Sequence, residues 1–186
     1  LLRKKFPNSE IHFITKPKYS DIYINNNNVN KVINLDQNLK KTIKYLKSEK
    51  YDLVIDLHNN IRSNIIKYSL FVKHLTYNKQ SFTRWLFSNL KIKLGIKHIT
   101  KSYIETLSNL EIKDDDKGLD LFLHEKDLYD LNKMPNEFRN GFYVLVLGGK
   151  YKTKRLPVEK SIELCDKINR PIVLIGGKNE YSDSLK

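Results

Sequence analysis

Tyr51-Asp52-Leu53-Val54-Ile55-Asp56-Leu57-His58-Asn59-Asn60-Ile61-Arg62-Ser63 decides the fold. An apolar run too short for a helix ends in polar residues, and a helical pattern then opens at Ile61. Ile61, Ile65, Tyr68 and Val72 continue with the spacing of one helix face. This strand-to-helix unit recurs along the chain. Ile11-His12-Phe13-Ile14, Lys31-Val32-Ile33-Asn34-Leu35 and His74-Leu75-Thr76-Tyr77 read as strands. Leu39, Ile43 and Leu46 mark one further helix, Phe82, Trp85, Leu86 and Leu90 a second, and Ile104, Leu107 and Leu110 a third. Phe142 to Leu147 and Pro171 to Ile175 are continuous apolar runs, each closed by a pair of glycines. Such runs fit strands buried on both faces of a parallel sheet. Pro157 fits the first turn of a helix, where its missing N–H costs nothing. Val158, Ile162, Cys165 and Ile168 supply that helix with an apolar face. Alternation of strand and helix implies an α/β chain with parallel sheets.

The chain has 186 residues and a formal net charge of +13. It lacks Ala and is rich in Lys, Asn and Ile, a bias that fills surfaces with Lys irrespective of function. One feature resists that explanation. No Asp or Glu occurs between Asp56 and Glu105, while nine Lys or Arg residues do, interleaved with aromatics. A basic, aromatic-bearing surface at a strand end suits an anionic, partly apolar partner. The single cysteine excludes an intrachain disulfide. No apolar run approaches the ~20 residues that span a bilayer. The five histidines lack metal-ligand spacing. Asp114 to Asp116 lacks the Gly and Glu of a calcium loop.

Ligands of open parallel sheets bind beyond the carboxyl ends of the strands. Three such ends stand out. At His58-Asn59-Asn60, helix N–H groups with Arg62 and Ser63 would hold a carboxylate or phosphate. Alternatively, and on spacing alone preferably, Asn60 is a plain N-cap with Arg62 in solvent. The stretch Gly148 to Pro157 places glycines, Thr153 and the cations Lys150, Lys152, Lys154 and Arg155 before a helix start. It would neutralise a diphosphate, or it is a basic solvent loop; it is not a P-loop, because Tyr151 follows Lys150. Glu180, after Gly176-Gly177, would accept bonds from ribose hydroxyls or begin a helix as a favourable first-turn charge.

The stretch Asp52 to Ser63 resembles a signature of the bacterial ADP-heptose:lipopolysaccharide heptosyltransferases, glycosyltransferase family nine. Thr153 to Lys160, with Val173 to Gly177 at a fitting distance, is similar as well. Leu1 to Pro7 resembles the end of the family's first helix, and Gly118 to Leu121 its interdomain crossing. The resemblance implies a GT-B fold, with two Rossmann-like parallel-sheet domains facing a cleft. On that basis the chain divides into an acceptor-side domain at 1–117, a crossing at 118–140 and the start of a nucleotide-sugar domain at 141–186, both domains being incomplete. The implied activity is inverting transfer of a heptose from an ADP-sugar to the lipopolysaccharide inner core, with no metal and no cofactor. By resemblance Thr153, Lys154 and Glu180 contact the donor, while His58, Asn60, Arg62 and Ser63 face the acceptor. The partners implied are a nucleotide-sugar and an anionic lipid-linked saccharide. The implied location is the cytoplasm, at the inner face of the inner membrane. The family's usual base is an acidic residue that would precede Leu1, and a later donor motif would follow Lys186. A fragment inactive alone is therefore the expectation. Asn59 stands where the family often has Gly. A GT-B enzyme with another donor, such as a UDP-sugar, and a basic nucleic-acid-binding module are the alternatives.

Overall fold

The structure is a computed structural model and describes residues 1–80, 85, 89–91, 97–149, 151–181 and 184–185. Its contacts divide the chain into two units, Leu1–His124 and Glu125–Lys186.

The first unit runs α1 (Leu2–Lys5), β1 (His12–Thr15), α2 (Asp21–Ile24), β2 (Lys31–Asn34), α3 (Leu39–Ser48), β3 (Leu53–Asp56), α4 (Ile61–Leu70), β4 (Lys73–Thr76) and α5 (Ile99–Glu105). β1 pairs in parallel with β2, from His12 opposite Lys31 to Thr15 opposite Asn34. β3 pairs in parallel with β4, from Leu53 opposite Lys73 to Asp56 opposite Thr76. The parallel arrangement follows from the helix between each pair, which returns the chain to the same end. Asn38 caps α3 by accepting from the N–H groups of Lys40 and Lys41, and the apolar stripe then turns inward. Ile33, Leu46 and Ile66 are buried together, with Leu35, Leu39 and Ile43 packed around them. A second cluster gathers Leu75, Leu107 and Ile112, with Leu2, Leu53 and Ile55 against it.

The helix expected through Ile104, Leu107 and Leu110 is split. α5 ends at Glu105 and a separate 3-10 turn covers Ser108–Leu110. The Ser102 and Thr106 hydroxyls donate to carbonyls four residues back, a competition that bends helices. Of the stripe read at 82–90, Phe82 and Leu86 lie outside the described residues, while Trp85 and Leu90 are exposed. Extended chain without regular structure follows Gly118, whose φ of +77° suits glycine.

The second unit contains β5 (Tyr143–Val146), α6 (Val158–Lys167) and β6 (Ile172–Ile175). β5 and β6 pair in parallel, from Tyr143 opposite Ile172 to Val146 opposite Ile175. Pro157 stands at the N-cap of α6, one residue before the first turn. The expectation of strands buried on both faces does not hold for this unit. Tyr143, Val144, Val146, Leu174 and Ile175 are exposed. Neighbours such as Tyr143 and Val144 point to opposite faces, so two strands and one helix leave parts of both faces uncovered.

Leu46 is the residue on which the α3–α4 packing turns. Leu46→Ala should lower stability by about 2–5 kcal/mol through lost burial and the remaining cavity. The denaturant midpoint would fall, and an unchanged midpoint would show that this cluster is not the first unit's core.

Candidate functional site

Asp56 closes β3, and its carboxylate organises everything that follows. Oδ1 accepts from the N–H groups of His58 at 2.9 Å and Asn59 at 2.7 Å. Oδ2 accepts from Ser63 Oγ at 2.9 Å and pairs with Lys67 Nζ at 3.2 Å. Lys67 Nζ also donates to Thr76 Oγ1 at 2.7 Å. Asp56 and Lys67 are both buried. One ion pair therefore ties β3, β4, α4 and the intervening loop. Burial pushes the Asp56 carboxyl up, but the N–H groups of Asn59 and His58, with Ser63 and Lys67, outweigh it and hold the group below the usual carboxylate range.

The loop held by this carboxylate has a defined shape. Asn59 adopts a left-handed conformation with φ +45°, a region Asn tolerates better than most side chains. Its Nδ2 donates to the Tyr77 carbonyl at 2.9 Å. The position takes left-handed backbone, and Asn meets that requirement while adding a hydrogen bond. Asn60 caps α4, its Oδ1 accepting from Ser63 N–H at 2.9 Å while Ser63 Oγ accepts from Asn60 N–H at 2.9 Å. Asn60 and Ser63 thus spend much of their polar capacity on the cap. His58 and Arg62 are exposed. Among the described residues, no hydrogen bond engages the N–H groups of Ile61 and Arg62 or the Arg62 guanidinium. Two free helix N–H groups and a guanidinium are the elements of an anion site.

The second unit presents a comparable arrangement at the ends of β5 and β6. Glu180 is buried; its Oε2 accepts from Gly177 N–H at 3.0 Å and its Oε1 pairs with Arg155 Nη2 at 3.2 Å. Arg155 Nε donates to the Gly149 carbonyl at 2.6 Å. A Cβ on Gly176 would meet Glu180 Cβ at 3.0 Å, and one on Gly177 would meet Glu180 Oε2 at 3.0 Å. A Cβ on Gly149 would meet the Lys154 carbonyl at 3.1 Å. These glycines make room for Glu180 and for the following turn. Of the four cations in the stretch, Lys150 lies outside the described residues and Arg155 is held by Glu180. Thr153 and Lys154 are exposed on a 3-10 turn, Lys152–Lys154, just before α6. Lys154 Nζ lies 5.8 Å from the Tyr151 ring centroid. Among the described residues, no side chain caps the N-terminus of α6, so the positive end of its dipole faces this turn.

The sequence reading missed Asp56, Lys67 and Thr76 as the frame of the first site and Arg155 as the partner of Glu180. A signal existed for the first. Ser63 and Lys67 are one turn apart on α4, and a carboxylate ending an apolar strand needs partners of that kind. Among the described residues, no group of three or more His, Cys, Asp or Glu has the arrangement of a metal site. No described helix is long and apolar enough to cross a membrane.

Comparison with known proteins bears on both units. The family model of glycosyltransferase family 9 (heptosyltransferase) matches residues 39–185. Among solved structures, the glycosyl transferase family 9 protein from Veillonella parvula DSM 2008 is similar, with a TM-score of 0.72 and 19% sequence identity. The match covers 97% of this chain and 57% of that one. At that identity the likeness speaks for the fold, an α/β arrangement of the GT-B type. No curated protein matches the chain.

Asp56→Asn should cost about 3–5 kcal/mol at neutral pH, because Lys67 would be buried without its counter-charge. The folded-state pKa of Asp56 is depressed, so its contribution is present above the unfolded value of about 3.9 and lost as pH falls through the folded one. The stability gap between wild type and Asp56→Asn should therefore be widest near neutrality and close in acid. Adding Lys67→Met should recover much of the loss. A gap independent of pH in urea titrations would exclude the ion pair as its source.

Proposed function

Because the chain belongs to glycosyltransferase family 9, we propose that it forms part of an enzyme that moves a heptose or related sugar from an ADP-sugar to the lipopolysaccharide inner core. The donor binds the second unit and the anionic, lipid-linked saccharide acceptor binds the first. The observation that carries this reading is the exposed Thr153–Lys154 turn at the uncapped start of α6, beside the glycine turn after β5. Displacement of a nucleoside diphosphate builds negative charge on the leaving oxygen. A Lys, a hydroxyl and a helix N-terminus fixed in place stabilise that charge without reorganising. In this reading no metal ion or cofactor is required.

Glu180 stands on the ribose side. Each of its oxygens is committed once, to Arg155 or to Gly177, and each keeps acceptor capacity for a ribose hydroxyl. On the acceptor side the contact falls to His58, Arg62 and the amide of Asn60. Ser63 serves from behind, by fixing the cap and Asp56. The free N–H groups of Ile61 and Arg62 add to the attraction for a phosphate or carboxylate on the acceptor. Asp56 does not suit the role of general base, because it is buried and ion-paired. Glu180 is likewise engaged by Arg155. The acceptor is lipid-linked, so the enzyme works in the cytoplasm at the inner face of the inner membrane.

Lys154→Ala in the enzyme that carries this chain should lower kcat by about 10²-fold or more, with a smaller change in KM. ADP should raise the melting temperature of the wild type more than UDP does, and Lys154→Ala should abolish the rise. Near-wild-type kinetics in the variant would remove the donor assignment; a larger shift with UDP would change the nucleotide.

A further inference from the structure

α4 has two apolar sides, and among the described residues only one is packed. Ile66 and the stem of Lys67 are buried against the first unit's core. On the opposite side Ile61, Ile65 and Tyr68 repeat at i, i+4 and i+7 and are 81%, 46% and 60% exposed. Phe71 extends the row past the helix end and is 89% exposed. A lone exposed apolar residue needs no explanation, whereas a contiguous row of four does. Phe71 also stops α4 in a left-handed conformation, φ +54° and ψ +36°. Glycine usually takes that place, and a bulky side chain there is strained. The strain is tolerated in a residue that presents its ring to solvent.

The charges beside this row are of one sign. Neither α3 nor α4 contains Asp or Glu. Lys40, Lys44 and Lys47 recur at i, i+4 and i+7, which places them along one face of α3, and all three are exposed. Lys47 joins that face to the apolar row. Its Nζ lies 5.6 Å from the Phe71 ring centroid, and it lines an open groove of about 660 Å³ with Ile61, Asn64, Ile65, Tyr68 and Phe71. Glu49, the nearest carboxylate in sequence, is taken up by Lys31 at 2.9 Å.

We propose that the α3–α4 face is the surface by which this protein docks on an anionic lipid bilayer. Aliphatic and aromatic side chains enter the boundary between headgroups and acyl chains, while flexible lysines reach up to lipid phosphates. A second copy of the chain fits poorly, because a two-fold contact would set the lysine row against itself. Nucleic acid would use the lysines and the aromatic rings but has no use for Ile61 and Ile65. The inference deepens the membrane part of the proposed function and rests on that reading for its purpose, not for its test. The row starts at Ile61, next to His58 and Arg62. Docking by this face would hold the acceptor loop at the level of the headgroups, where a lipid-linked sugar lies.

The test is sedimentation with vesicles of phosphatidylethanolamine and phosphatidylglycerol, set against vesicles of phosphatidylcholine alone. The wild type should pellet with the anionic vesicles only. Ile65→Asp with Phe71→Asp should weaken binding about tenfold or more. Lys44→Gln and Lys47→Gln should each weaken it about fivefold and reduce its salt sensitivity. All four positions are exposed, so the circular dichroism and melting temperature of these variants should match the wild type. Equal binding of wild type and the Ile65/Phe71 variant would overturn the proposal. So would equal binding to neutral vesicles, or a wild-type dimer that the Ile65/Phe71 variant dissolves. The ADP-induced rise in melting temperature, which depends on Lys154, separates failure of this surface from failure of the transferase reading, since none of these variants changes a residue of the second unit.

Discussion

A lysine ammonium inside a protein is tolerable only if charge and hydrogen bonds surround it. Lys67 meets that condition through Asp56 and Thr76, and the first unit is arranged so that it can. Asp56 ends one strand and Thr76 ends its parallel neighbour, directly opposite in register. Lys67 reaches both from α4, the helix that connects the two strands. Strand end, helix and returning strand are thereby fixed to one another at the carboxyl edge of the sheet, where ligands of such sheets bind. The loop geometry follows from the same carboxylate, since its other oxygen holds the N–H groups of His58 and Asn59.

The second unit applies the same device with different parts. Glu180 reaches back to the N–H of Gly177 and to Arg155, which in turn holds the Gly149 carbonyl. In both places a buried carboxylate shapes a turn after a strand. In both places the groups left facing outward are donors: Arg62 with two helix N–H groups in the first unit, and Lys154 with Thr153 and the start of α6 in the second. Carboxylates are fixed inside and cations are presented outside, the polarity that the proposed function assigns to two anionic ligands. That division suits a reaction between a sugar diphosphate and a charged acceptor.

Exposed apolar surface occurs in both units but has different causes. On β5 and β6 it reflects a count of elements, because two strands and one helix leave residues of both sheet faces exposed. On α4 the inner side is already packed, and the outer row is additional to what folding needs. It stands beside the lysine row of α3, on two helices that carry no Asp or Glu.

Sequence alone determined the alternation of strands and helices, their parallel pairing and the three glycine- or asparagine-bearing strand ends. Hydrophobic period and turn chemistry are local properties, so neighbours along the chain suffice to read them. The family was legible for the same reason, as spaced motifs. What a side chain at those ends does was not legible. Ser63 and Arg62 are adjacent in sequence, yet one hydroxyl is folded inward onto Asp56 and the other side chain is left to solvent. The glycines after β6 make room for Glu180, and Gly149 for the Lys154 carbonyl. Lys67 looked like one of many surface lysines and is buried. Only the tertiary structure decided these matters, because burial and pairing depend on groups brought together across the fold, and no local pattern states which lysine of a lysine-rich chain will be enclosed.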